Sequence, residues 1–86
     1  MSCAWWKYKY EYECISQNDE VVAAGEFIIE LPCTIRSSLI VERGISAVFD
    51  NDRERLFWYR GDNHLKDIRI KVTNIYTKSV RYFRKE

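Results

Sequence analysis

The sequence predicts an α+β fold, a small antiparallel sheet of about five strands with one short helix packed on one face. Three observations carry this. Trp6 to Cys14 alternates large aromatics with charges in strict period two, the pattern of a strand with one buried and one wet face. A second alternating run begins after a four-residue polar turn. Beyond it, Pro32, Thr34 and Gly44 bracket a stretch whose apolar residues fall one helical turn apart.

The first strand presents Tyr8, Tyr10 and Tyr12 to one side and Lys7, Lys9, Glu11 and Glu13 to the other. Ser16-Gln17-Asn18-Asp19 is turn-forming, since these side chains bond their own backbone. In Val21–Leu31, residues Val21, Ala23, Phe27, Ile29 and Leu31 share one parity. The two runs therefore form an antiparallel hairpin. Pro32 ends the second strand because it cannot donate to a ladder. Thr34 can cap a helix, Ile35 and Leu39 lie one turn apart, and Gly44 suits the left-handed position past a helix end. This places a short helix at residues 34–43, with a strand through Leu39-Ile40-Val41 as the competing reading.

Residues 45–49 then read as a short strand, 50–52 as a turn and 55–60 as a strand apolar on both sides. After a turn at 61–63, Ile68–Thr73 alternates again. Residues 77–86 are open between helix, strand and tail: Tyr76, Val80 and Phe83 fit a terminal helix, whereas Val80, Tyr82 and Arg84 could line a strand. The order runs strand-strand-helix-strand-strand-strand, with a possible C-terminal helix. Strand order cannot be read from it.

At 86 residues and 10.4 kDa, the chain is expected to form one domain that buries about 64% of its extended surface. A content of 47% apolar residues and a net charge of +1 excludes a fully disordered chain. Three Gly and one Pro exclude collagen-like and linker sequences. The longest apolar runs are four residues, far short of a membrane-spanning helix. The first seven residues lack the basic start and apolar stretch of a signal peptide. Charge is uneven: residues 1–49 carry a net −3 and residues 50–86 a net +4.

Cys3, Cys14 and Cys33 are odd in number and contain no C-x-x-C pair, which points to a reducing compartment and a cytoplasmic location. Cys14 and Cys33 read as small core residues and Cys3 as a terminal thiol. A zinc site would need all three thiolates plus the lone His64, so no metal and no cofactor are expected. His64 has no partner pattern for a triad, and the three isolated glycines form no phosphate loop. Asp50-Asn51-Asp52-Arg53-Glu54 resembles the start of a calcium loop, but Arg55 stands where that loop needs Gly and Gly61 where it needs Glu. It reads as a charged hairpin turn. No catalytic residue is expected.

Thirteen of 86 residues are aromatic. The tyrosines of the first strand read as core with their hydroxyls at the rim. One helix about 15 Å long cannot cover both faces of such a sheet, so one face stays open. Mixed charge beside exposed aromatics is what a protein-binding face carries. The expected function is a non-enzymatic protein-binding domain acting as an inhibitor or adaptor through Lys7, Lys9, Phe57, Tyr59, Arg69 and Lys71. Compact α+β domains of this size without catalytic motifs are common among bacterial and phage accessory proteins, small phage inhibitors of a host factor such as a defence complex being one such group, and the expectation extends to that role. The alternative is single-stranded nucleic-acid binding through the basic aromatic C-terminal third, Arg69, Lys71, Lys78, Arg81, Tyr82, Arg84 and Lys85. Homodimerisation fits either reading.

Overall fold

The computed structural model describes residues 4–59 and 65–84. It is an α+β domain built on a four-stranded antiparallel sheet in the order β2-β1-β3-β4. The strands are β1 (Trp5–Ile15), β2 (Val21–Pro32), β3 (Asp67–Asn74) and β4 (Val80–Arg84). Between β2 and β3 run α1 (Ser37–Asn51), α2 (Arg53–Leu56) and a 3-10 turn, Phe57–Tyr59.

The alternation of charge and aromatic residues does what its period requires. Trp6, Tyr8, Tyr10, Tyr12 and Cys14 stand opposite Leu31, Ile29, Phe27, Gly25 and Ala23 of β2. Tyr8, Tyr10, Tyr12 and Cys14 also stand opposite Asn74, Val72, Ile70 and Ile68 of β3. This face holds the core, joined from the helical layer by Ile40, Val48 and Leu56. The β1–β2 turn closes around Ser16, whose Oγ accepts from the backbone of Asn18 and Glu20 at 3.3 Å each. Asp19 there takes the left-handed conformation, φ 64°.

Five expectations fail in the middle of the chain. The helix spans 37–51 rather than 34–43, and residues 45–49 continue it instead of forming a strand. Gly44 is an interior, core-facing residue rather than a stop. Its lack of a side chain lets the helix settle on Tyr10, whose Cε2 would lie 2.5 Å from an added Cβ. Buried Ile40, Gly44 and Val48 form the i, i+4, i+8 stripe, hidden in the sequence because its middle member is glycine. Asp50 and Asn51 end α1 and Asp52 joins it to α2, so 50–52 is not a hairpin turn, and the described part of 55–60 is helical. Asp50 pairs with Arg53 and Asp52 with Arg55, each at 3.6 Å.

The described sheet thus has four strands, not five. The segment proposed as a C-terminal helix is β4, with Phe83 opposite Ile70 and Arg81 opposite Val72. Phe83 packs on the core, and that contact favours the strand over the helix. Asn74 shapes the β3–β4 turn: its Oδ1 accepts from the backbone of Tyr76 at 2.9 Å and Thr77 at 3.1 Å.

Cys14 is a buried free thiol, as expected of a small core residue. Cys33 departs from expectation: it is only partly buried and disulfide-bonded. Cys3, His64 and the turn at 61–63 lie outside the described residues. No helix among the described residues is long and apolar enough to cross a membrane.

Candidate functional site

The odd-numbered residues of β1 up to Glu13 and of β3 from Arg69, with the even-numbered residues of β2 from Ala24 and of β4, share the face opposite the core tyrosines. The register shift at Cys14/Ile15 ends this alternation, so Val22 packs on the core. Among the described residues no element covers the face opposite the tyrosines. Its side chains form rows across the sheet, set by the strand register. One row runs Ile28, Lys9, Thr73, Val80. The next runs Glu26, Glu11, Lys71, Tyr82, and the third Ala24, Glu13, Arg69, Arg84. The last two rows line a shallow groove of about 650 Å³ that crosses all four strands.

The charges are sorted. Glu26, Glu11 and Glu13 occupy the β2–β1 side, and Lys71, Arg69 and Arg84 the β3–β4 side. Glu11 faces Lys71 and Glu13 faces Arg69 across the central pair. Lys9 reaches diagonally to Glu26 at 3.2 Å. Two like-charged pairs stand directly opposite each other, Glu11 with Glu26 and Arg69 with Arg84. Such pairs are unfavourable unless something sits between them. For the arginines that is Asp67, only 1% exposed: its Oδ2 accepts from Arg69 Nε at 3.0 Å and from Arg84 Nη2 at 3.2 Å. The clamp ties β4 to β3 and holds both guanidinium groups at the edge of the groove.

Apolar side chains break the charged surface. Tyr82 is 77% exposed and Ile28 58% exposed. Trp5 is also exposed at the end of β1.

Of the residues expected to bind a partner, Lys7, Lys9, Arg69 and Lys71 lie together on this face. Phe57 and Tyr59 do not. They are not strand residues but belong to the 3-10 turn after Leu56, where Tyr59 packs on the core and Phe57 makes an edge-to-face contact with Trp58 at 5.5 Å. The run Leu56-Phe57-Trp58-Tyr59 looked like a two-sided apolar strand because a short helical turn can also have apolar residues all round. Of the alternative nucleic-acid set, Arg69, Lys71, Tyr82 and Arg84 share the open face. Arg81 has the opposite parity, Lys78 lies in the β3–β4 turn with φ 65°, and Lys85 is outside the described residues. Glu11, Glu13, Glu26 and Ile28 join the expected residues on this face, where their alternation in β1 and β2 puts them.

Beneath the sheet, two tyrosine hydroxyls anchor the helical layer. Tyr10 donates to the Ile40 carbonyl at 2.7 Å. Tyr12 donates to the Asp52 carboxylate and accepts from Asn51 Nδ2 at 2.8 Å. Burial pushes the Tyr10 phenol up to about 12, with Tyr8 adding to the effect. Burial, followed by the bond to Asp52, raises Tyr12 as well, while the Asn51 bond opposes them. Cys14 is pushed up to about 12 by burial, then by the nearby Asp52 charge. These groups are held neutral and serve packing. Among the described residues no cluster of His, Cys, Asp or Glu could hold a metal ion.

The chain matches no family model, and no curated protein or solved structure is similar to it.

Proposed function

We propose that this domain is a non-enzymatic protein-binding module, an inhibitor or adaptor, that engages its partner through the open sheet face. One observation supports this above the rest: Tyr82 and both signs of charge line one groove on a face that no described element covers. A protein partner can satisfy Glu11 and Glu13 as well as Arg69 and Lys71, and an exposed Tyr beside Arg is the composition of interface hot spots. A nucleic-acid strand would gain from Tyr82, Lys71 and Arg69 but would meet the glutamates of the same groove, which repel phosphate.

The test is affinity capture with and without nuclease. It compares the wild type with a Tyr82→Ala/Lys71→Glu variant and with a control on α1, Glu42→Ala. A protein partner retained after nuclease, lost with the groove variant and kept by the control supports the reading. Binding that disappears with nuclease and weakens steeply with salt replaces it by the nucleic-acid alternative.

A further inference from the structure

We infer that copies of this chain associate edge to edge, with β4 of one copy adding as an antiparallel strand to β2 of the next. In the matched register Tyr82 stands opposite Ile28, Arg84 opposite Glu26 and Val80 opposite Glu30.

The backbone supplies the first part of the argument. Among the described residues β2 and β4 are the two edges of the sheet, and an edge strand presents unpaired N–H and C=O groups. Which residues present them follows from bonds already made. The Cys33 amide donates to the Ala4 carbonyl at 3.0 Å and the Asn74 amide to the Ser79 carbonyl at 2.9 Å. Carried along the registers, these bonds turn the odd-numbered residues of β2 and β4 inward. The groups at the edges are therefore those of residues 26, 28 and 30 on β2 and of residues 80 and 82 on β4. Because every neighbouring pair in the sheet is antiparallel, β4 runs opposite to β2. A second copy placed beside the first with the same face up then continues the antiparallel alternation. The pairs Tyr82–Ile28 and Val80–Glu30 can exchange about four N–H···O bonds.

The side chains supply the second part. Even-numbered residues of both edges lie on the open face, so the opposed residues point the same way. Ile28 and Tyr82 are among the most exposed apolar side chains of the sheet, at 58% and 77%, and this pairing covers each with the other. Arg84 meets Glu26, and on the opposite face Phe83 meets Phe27. Edges of like kind fit less well. Two β2 strands centred on Ile28 would oppose Glu26 to Glu30, and two β4 strands centred on Tyr82 would oppose Arg84 to Val80, with no charge complementarity across the edge. The contact is heterologous, one edge to a different edge, so it propagates beyond a dimer unless a ring closes. β4 is five residues long, which limits the area buried and makes the association weak and reversible.

This inference does not rest on the open-face reading, and one variant separates them. Ile28 does not line the groove, and its amide faces the free edge, so Ile28→Pro removes a donor without cutting a β1–β2 bond. The experiment is sedimentation velocity across about a hundredfold range of protein concentration, with circular dichroism confirming the fold of each variant. The wild type is expected to grow past dimer with concentration. Ile28→Pro should weaken this by roughly tenfold or more. Glu26→Lys and Arg84→Glu should each be impaired alone, because each sets like charges across the edge. Their equimolar mixture should associate again, since every contact between unlike copies restores opposite charges. A wild type that stays monomeric, growth that stops at a dimer without a closed ring, or a folded Ile28→Pro variant that associates like the wild type overturns the inference.

Discussion

Gly44 of α1 lies directly on the ring of Tyr10, so close that an added Cβ would stand 2.5 Å from Cε2 and 2.8 Å from Cδ2. The same tyrosine stacks on Phe27, with ring centroids 5.1 Å apart. Tyr10 is therefore held from both sides, by a β2 aromatic and by a helix that can approach only because residue 44 has no side chain. Gly25 serves Tyr12 in the same way, since a Cβ there would lie 2.9 Å from the Tyr12 hydroxyl.

Gly44→Ala is expected to destabilise the fold. Alanine gains about 1 kcal/mol of helix propensity, but overpacking against a ring between helix and sheet costs about 1–3 kcal/mol. Because the clash is with ring carbons, removing only the hydroxyl in Tyr10→Phe should not relieve it. Removing the ring should, so Tyr10→Ala and Gly44→Ala should be less than additive in chemical denaturation. Strict additivity would show that the two residues do not meet.

Tyr10→Ala is expected to cost about 3–5 kcal/mol, the range for large-to-small aromatic changes in a core. Lys9→Ala, one residue away on the opposite face, should stay within about 0.5 kcal/mol, since its bond to Glu26 is between exposed groups and contributes little. Urea unfolding of both variants checks the assignment of faces. Equal costs would contradict the packing of β1.

Stability should fall at alkaline pH. Cys14 and Tyr10 are acids whose neutral forms the fold favours, raised from ordinary values of 9.0 and 10.0 to about 12. Each contribution is intact below the ordinary value and is lost as pH rises toward the folded one. Unfolding free energy should be flat through neutral pH for these two groups. It should decline from about pH 9 as Cys14 begins to count and more steeply from about pH 10 as Tyr10 joins, by up to ~1.4 kcal/mol per pH unit for each group. Denaturation curves between pH 7 and 11 test this, and Cys14→Ala should delay the onset by about one unit. A stability unchanged up to pH 11 would refute it.

Truncation after Lys78 removes β4. A solvated tail could be cut at little cost, but here Phe83 packs on the core beside Ile70 and Arg84 clamps Asp67. Thermal melting of the truncated chain should show a loss of at least ~2 kcal/mol. Phe83→Ala should reproduce a large part of that loss, and Arg81→Ala little of it. Wild-type stability in the truncated chain would show that β4 adds nothing to the fold.

The sequence by itself determined the sheet faces. Period-two alternation in β1, β2 and β3 admits one assignment of parity, because shifting it by one residue would bury Lys9 and Glu11 and expose Tyr10. The open face, the core tyrosines and the hairpin follow from that alone, as do the positions of Lys7, Lys9, Arg69 and Lys71. The tertiary structure decided what local pattern could not. Residues 45–49 are β-branched and aromatic enough for a strand, yet they continue α1, whose Ile40, Gly44 and Val48 form one buried stripe with Gly44 set on the Tyr10 ring. A glycine there reads locally as a helix end, and only the ring above it makes it an interior residue. Phe57 and Tyr59 left the proposed face because the turn at Leu56 binds them to the helical layer. The strand order was likewise a tertiary decision: placing β3 beside β1 brought Glu11 and Glu13 against Lys71 and Arg69, and pairing β4 with β3 set Tyr82 and Arg84 at the edge, a long-range arrangement that no spacing along the chain encodes.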